Sequence, residues 1–349
     1  MLSPMDPDRP PPFYEKFTPP SLEDLHGRTI SYLRISVTDR CNFRCTYCMP
    51  AEGVDPVARA ELLSFEEYER IARVFAAIGV RTVRITGGEP TVRRGIVELV
   101  ERIARIPGIT DVAMTTNGMV LEALAGPLRA AGLTRLNVSV DSVRPEAFAE
   151  LTRGEDVARV IAGIDAARAA GFADVKTNAV IVRGVNDADA PALVAWAWER
   201  GLVPRFIELM PMGEGERLVA EGKSVPNAEV RARLGDMIED APRGKTSGQG
   251  PAVYWLARGR PERKVGFIGA MTENFCAGCN RVRLTSTGEL RPCLASLRGV
   301  SLRDQLRAGA SDEALLALVA ETLYGKKAGH EFVEGTGTNR LIGMSTIGG

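Results

Sequence analysis

Cys41-Asn42-Phe43-Arg44-Cys45-Thr46-Tyr47-Cys48 places three thiols within eight residues, at the spacing C-x3-C-x2-C. The stretch directly follows Tyr32 to Val37, an alternating apolar run that reads as a strand. Three thiolates at the exit of a strand can hold a metal centre, but they are one ligand short of a closed site. The rest of the chain is read by asking what fills that position.

The six cysteines fall into two groups of three, Cys41, Cys45 and Cys48, then Cys276, Cys279 and Cys293. Tight clusters without a secretory leader point to metal rather than to disulfides. Met1 to Pro20 is Pro-rich and polar, has no apolar leader core, and is expected to be an extended lead-in. The two histidines, His26 and His330, lie away from both groups in sequence, so a mixed Cys/His zinc site gains little support. A zinc site with a distant fourth ligand remains the plain alternative for the first group, and a structural zinc knuckle for the second.

The 349 residues are 45% hydrophobic and 25% charged, with a formal net charge of zero. That balance argues against a general nucleic-acid or membrane binder, though not against a local basic pocket. No apolar run reaches the roughly 18 residues of a membrane span.

From Ile30 onward, strand-like runs at Tyr32–Thr38, Thr82–Thr86, Asp111–Thr116, Arg135–Val140, Asp174–Val182 and Pro204–Leu209 alternate with helix-like runs at Phe65–Ile78, Gly95–Ile106, Leu121–Ala131, Val157–Ala170 and Ala188–Arg200. Ser64 and Glu67 look like a capping box. Six such units imply parallel strands and are too few for a closed eight-stranded barrel. We therefore expect an α/β fold, an open partial (β/α)6 barrel, with its ligands at the carboxyl ends of the strands. Cys41–Cys48, Gly87-Gly88-Glu89-Pro90, Thr115-Thr116-Asn117-Gly118, Ser139 with Asp141, and Met210-Pro211-Met212 all fall there. After a Gly/Glu-rich loop at Gly213–Gly222 come a helix at Ala228–Ile238, a linker at Gly244–Gly250, antiparallel strands at Val253–Ala257 and Val265–Ile268, the second cysteine group, and two helices. The expected division is a lead-in over 1–29, the barrel over 30–214, and a C-terminal α+β domain over 215–349 that carries the second thiol group.

The cysteine motif, with Gly87-Gly88-Glu89-Pro90 at the second strand end, resembles the radical S-adenosylmethionine superfamily. The resemblance implies a four-iron, four-sulfur cluster on Cys41, Cys45 and Cys48. Its free iron binds S-adenosyl-L-methionine, which one electron cleaves to a 5′-deoxyadenosyl radical. From about Leu33 to Gly349 the chain then resembles one family, the GTP 3′,8-cyclases of molybdenum cofactor biosynthesis. The carrying motifs are Leu33 to Cys41, Arg84 to Thr91, Met114 to Gly118, Val138 to Ser142, Val175 to Asn178, Phe206 to Pro211, Cys276 to Arg283, and the terminal Gly348-Gly349.

This resemblance implies a lyase in which the radical takes hydrogen from C3′ of GTP, and the C3′ radical attacks C8 of the guanine. The product is (8S)-3′,8-cyclo-7,8-dihydroguanosine 5′-triphosphate, which a cyclic pyranopterin monophosphate synthase would use next. A second cluster on Cys276, Cys279 and Cys293 would bind the guanine. Tyr47, Gly88, Ser139 and Met210 would contact S-adenosylmethionine. Arg34, Arg84, Thr115, Lys176, Asn280, Arg281, Val282 and Arg283 would contact GTP. Arg281 and Arg283, and a Gly348-Gly349 tail reaching into the cavity, would take part in catalysis. A flavodoxin or ferredoxin as electron donor, a cytoplasmic setting and a homodimer complete the expectation.

The residues suit a triphosphate on their own account. Such a ligand carries about four negative charges, and a neutral protein needs local cations for it. Arg34 and Arg84 interrupt otherwise apolar strands, where a solvated cation is less natural. The rival readings are a radical peptide or RNA modifier with an auxiliary cluster, and a non-catalytic zinc protein.

Overall fold

The computed structural model describes residues 22–243, 250–330, 332 and 343–348. The expected lead-in up to residue 20, most of the linker at 244–250, and Gly349 lie outside the described residues.

Six strands alternate with helices through the first part of the chain. They are β1 (Tyr32–Ser36), β2 (Thr82–Thr86), β3 (Asp111–Thr116), β4 (Arg135–Ser139), β5 (Val175–Val180) and β6 (Val203–Ile207). The helices of this part are α1 (Phe65–Ala77), α2 (Ile96–Ala104), α3 (Leu121–Ala130), α4 (Pro145–Thr152), α5 (Val157–Ala169) and α6 (Ala190–Glu199). Each of β1 to β6 pairs in parallel with the next. The C-terminal part adds helices α7 (Glu214–Ala220) and α8 (Asn227–Leu234), and strands β7 (Val253–Ala257), β8 (Arg260–Ile268), β9 (Arg281–Leu284), β10 (Glu289–Arg291) and β11 (Val300–Ser301). Helices α9 (Leu302–Arg307), α10 (Asp312–Tyr324) and α11 (Met344–Ile347) follow.

The eleven strands of the described residues form one sheet, in the order β11-β10-β9-β1-β2-β3-β4-β5-β6-β8-β7. The C-terminal part therefore extends both edges of the six-stranded core. β9 runs parallel to β1, and β8 parallel to β6.

Strict alternation decides the two faces of this sheet. Leu33, Ile35, Val83, Ile85, Val112, Met114, Leu136 and Val138 are buried in the main core together with Tyr68, Ile71 and Phe75 of α1 and with Leu99, Leu128 and Ile164 of the following helices. The other face carries Arg34, Arg84, Thr115, Asn137, Lys176, Arg205, Arg281 and Arg283. A polar inner face is costly to build unless something polar is bound there. At the outer layer, Ser64 caps α1 with the full capping box to Glu67, a device worth about 1 kcal/mol. The α1 side chain Phe75 is fully buried, and its loss to alanine would cost about 3–5 kcal/mol.

Three sequence readings change. Residues Gly213–Gly222, expected as a loop, contain helix α7, with Glu216 and Leu218 buried. Gly215 packs so closely beneath the Met210 carbonyl oxygen that a Cβ would overlap it. The glycine that suggested a loop is thus a contact glycine inside a helix. Helix α4, with Pro145 in its first turn, was not expected at all. The antiparallel strand expected from Val265 begins earlier, at Arg260, after a turn at Gly259.

Candidate active site

The loop after β1 carries the first three thiols into a pocket at the carboxyl ends of the parallel strands. Cys41, Cys45, Cys48 and Tyr47 line it with Gly88, Thr115, Ser139 and Met210. All four residues expected to contact S-adenosylmethionine thus lie around one pocket with the thiols. Burial pushes the thiols upward, helped by Glu89 at Cys41, by Asp141 and then the other two thiols at Cys45, and by Cys41 at Cys48: Cys41 to about 11, Cys48 to about 12, and Cys45 well above the usual thiol range. A cationic centre that displaces the protons would relieve this. Three soft sulfur donors, with no fourth protein ligand among them, fit an iron–sulfur cluster with one open iron. Among the described residues, no three His, Cys, Asp or Glu groups are arranged to hold a single metal ion.

Two buried carboxylates organise the pocket wall. Glu89 accepts from the backbone N–H of Thr91 at 3.0 Å and of Asn117 at 2.6 Å, and from the Thr116 hydroxyl at 2.7 Å. It locks the loop after β2 to the loop after β3. Asp141 accepts from the Tyr47 hydroxyl at 2.7 Å and from the Val180 N–H at 2.8 Å, so it sets the orientation of the tyrosine inside the cysteine motif. Burial raises its carboxyl from 3.8 to about 6. Gly88 donates to the Thr38 carbonyl at 2.7 Å, and a Cβ there would run into the Asp39 and Arg40 carbonyls. Its smallness serves the contact between two loops as much as room for a ligand.

On the inner face, register sets three arginines abreast. Arg34 of β1 lies opposite Arg84 of β2 on one side and Arg283 of β9 on the other. Arg84 donates to the hydroxyls of Tyr32 and Thr115, the latter at 3.2 Å. Burial, and then the Arg283 guanidinium, push Arg34 well below the ordinary arginine range, and burial with Arg281 lowers Arg283 to about 10. Burial would raise the Tyr32 hydroxyl, yet Arg84 and Arg34 outweigh it and hold it low. Guanidinium keeps its proton, so this row is a cationic strip that a polyanion would stabilise. Lys176 sits near the start of β5, half-buried and paired with Asp174 at 2.6 Å.

Arg205, unassigned by the sequence reading, joins this face from β6, buried and donating to Asn178 at 3.0 Å. Its signal was the same as for Arg34 and Arg84: a cation in the middle of an apolar strand.

The second thiol group lies beside β9. Cys276 and Cys279 flank one tight turn, the Cys279 N–H donating to the Cys276 carbonyl at 3.0 Å, and burial, then Cys293 and Cys279, raise the Cys276 thiol. Burial opposes ionisation of Cys279, but Arg281 and Lys326 overcome it and hold the thiol at about 7. This set also leaves one position of a four-iron cluster without a protein thiolate.

Two buried cations that sequence reasoning missed pin the segments bearing these cysteines. The Lys326 ammonium donates to the carbonyls of Arg281, at 3.0 Å, and of Pro292, immediately before Cys293. The Arg28 guanidinium, paired with Asp24, donates to the Cys276 carbonyl at 3.0 Å and to those of Lys327 and Ala328. Neither residue adjoins a cysteine in sequence, so no spacing rule could find them. His330 also lies at this group, its backbone N–H bonded to Cys276. The Asn280 side chain donates to Ser31 at 2.9 Å, anchoring the turn to β1. Val282 turns its side chain into the apolar core, away from Arg281 and Arg283.

The tail enters this space. Gly348 accepts from Arg34 at 3.2 Å and from Arg283. Ile347 packs with Met212, and Met344 lines the thiol pocket.

An open sheet of parallel strands, with a three-thiol loop after the first of them, defines a radical S-adenosylmethionine enzyme, and residues 35–197 match the Radical SAM superfamily. Residues 203–332 match Molybdenum Cofactor Synthesis C. The chain is 46% identical over 332 residues to the GTP 3′,8-cyclase of Pelotomaculum thermopropionicum, covering 94% of this chain and all of that protein. It is 47% identical to the GTP 3′,8-cyclase of Pseudomonas putida, over 94% of this chain and 98% of that one. The chain belongs to the GTP 3′,8-cyclase family. Among solved structures, Streptococcus suis SuiB bound to S-adenosylmethionine shares the fold, with a TM-score of 0.55 at 16% identity, over 83% of this chain and 68% of that one. SuiB bound to its precursor peptide SuiA gives 0.53 at 15% identity, over 88% and 76%.

Proposed function

We propose that this chain is a GTP 3′,8-cyclase acting at the first step of molybdenum cofactor biosynthesis. The observation that carries the reading is the cationic row Arg283–Arg34–Arg84 on one sheet face, with the first three-thiol loop following β1 and the second thiol group beginning just before β9, the strand that pairs with β1. Cys41, Cys45 and Cys48 hold one four-iron, four-sulfur cluster and Cys276, Cys279 and Cys293 the other. When bound, the first cluster with S-adenosylmethionine supplies the radical chemistry that removes hydrogen from C3′ of GTP.

The residues of the chain do the rest. Tyr47, oriented by Asp141, works with Gly88, Ser139 and Met210 to hold S-adenosylmethionine. Arg34, Arg84, Arg283 and Lys176 meet the triphosphate, and the planar forks of the arginines suit phosphate oxygens. The Thr115 hydroxyl, held by Arg84, offers a further contact. Arg281, with Asn280 and Val282 beside it, borders the second thiol group, where the guanine binds. Gly348, accepting from Arg34 and Arg283, closes the cavity without a side chain, and the terminal Gly348-Gly349 pair helps position the nucleotide for ring closure. The division near residue 215 is one of function: it separates the radical-generating part from the part that carries the second cluster, while the sheet runs through both.

An acidic carrier such as flavodoxin or ferredoxin supplies electrons in the cytoplasm, and a cyclic pyranopterin monophosphate synthase takes the product. Anaerobic turnover with GTP, S-adenosylmethionine and dithionite tests the central reading. The expected products are 5′-deoxyadenosine and a cyclised nucleotide, and cofactor cleavage indifferent to GTP, with no nucleotide product, would overturn it.

A further inference from the structure

A separate cavity of about 740 Å3 lies on the outer side of the loop that leads into the first thiol group, lined by Thr38, Arg40, Arg59, Phe65, Val92 and Arg94 among others. Thr38 and Arg40 form its inner wall. On their far side the Thr38 carbonyl accepts from Gly88, and the Arg40 carbonyl accepts from Glu89 at 2.8 Å. Arg40 lines the outer cavity and Cys41 the inner pocket, as consecutive residues about 3.8 Å apart at Cα. One layer of backbone therefore separates the two spaces.

The charges on this surface do not cancel. Glu66 and Glu98 share Arg102, at 3.0 and 2.9 Å. Arg307 pairs with Glu67, and Arg93 lies over the Phe65 ring and donates to the Leu63 carbonyl. Arg40, Arg59 and Arg94 are exposed and have no ion-pair partner among the described residues. Val92, at 40% exposure, adds an exposed apolar contact at the same place. Arginines around an apolar centre are the composition of a protein-binding surface.

We propose that this surface docks an acidic one-electron carrier protein, which delivers its electron to the centre held by Cys41, Cys45 and Cys48. The inference rests on the reading of that centre as an iron–sulfur cluster. A flavin carrier balances the step: its hydroquinone loses one electron and one proton to become the semiquinone, the proton goes to solvent, and the cluster takes up the electron. The cationic rim steers the partner, so association must weaken as salt screens it.

The test uses reconstituted holoenzyme and flavodoxin, with the double variant Arg59→Glu/Arg94→Glu and the milder Arg59→Gln/Arg94→Gln. Binding is read by flavin fluorescence across a salt series, and cluster reduction by stopped-flow absorbance. The expected result is salt-sensitive binding by the parent, weakened about tenfold or more in the Glu variant and less in the Gln variant, with reduction slowed in step. Dithionite should reduce all three proteins at one rate. Parent and variants alike with flavodoxin, no binding by the parent, or variants slow with dithionite too would each overturn the proposal. A parent that binds no cluster at all would instead overturn the reading beneath it.

Discussion

Arg34, in the middle of the first strand, donates from its guanidinium to the backbone carbonyl oxygen of Gly348 at 3.2 Å. The tail thus lies across the cationic strip, with the Gly348 carbonyl oxygen accepting from both Arg34 and Arg283. Gly348 has φ +69, and a Cβ there would overlap the Thr86 hydroxyl. Gly348→Ala meets a conformational cost of about 1 kcal/mol and a clash besides. We expect at least about a tenfold loss of cyclised nucleotide, with 5′-deoxyadenosine formation retained. A residue appended after Gly349 should act the same way. The two products are separated by chromatography of single-turnover mixtures, and equal loss of both would contradict a role for the tail in ring closure.

Arg34→Met should weaken GTP binding by about 10- to 100-fold, the worth of one or two charge-assisted hydrogen bonds. In the absence of nucleotide it should raise the melting temperature, because burial and Arg283 already disfavour the Arg34 charge. Calorimetry with and without GTP checks both directions. A less stable apo variant would show that Arg34 supports the fold rather than the ligand.

Lys326→Met removes the ammonium that ties the Arg281 carbonyl to that of Pro292. Iron should fall from about eight to about four atoms per chain, while cleavage of S-adenosylmethionine by the first cluster continues. Lys326→Arg should retain part of the second cluster. Anaerobic iron and sulfide assays, with the spectra of both clusters, provide the measurement.

Asp141 gives a pH signature. Its folded carboxyl sits at about 6 against 3.8 unfolded, because burial disfavours the charge. The folded state therefore holds its proton more tightly, and stability declines as pH rises from about 4 through 6. Above that window the buried carboxylate costs up to about 3 kcal/mol. Asp141→Asn keeps an acceptor for Val180 and should stabilise the apo protein at pH 8 but hardly at pH 4. Denaturant titrations at the two pH values decide it. An advantage that persists unchanged at pH 4 would rule out ionisation as its cause.

Much of the site was legible in the residues. The thiol spacing marked both groups, and the capping box at Ser64 and Glu67 forms as written. Arg34, Arg84, Arg281 and Arg283 announced a polar face because they alternate with Leu, Ile and Val. Arg28 and Lys326 were not legible: each acts on carbonyls of segments remote in the chain, a contact that leaves no mark on local pattern. Helix α7 was misread because Gly215, chosen for its fit against Met210, looks in sequence like any loop glycine.

The sequence by itself determined the chemistry of the donors and the face each strand side chain takes. Alternation has a period of two whatever the neighbouring strand, so inside and outside follow from the residues alone. Only the tertiary structure decided which strands are neighbours. It set β9 beside β1, so that Arg283 stands opposite Arg34 and Cys279, two residues before β9, lies at the end of the sheet where β1 begins. That choice comes from pairing and packing between segments far apart in the chain, and periodicity within a strand carries no information about its partner.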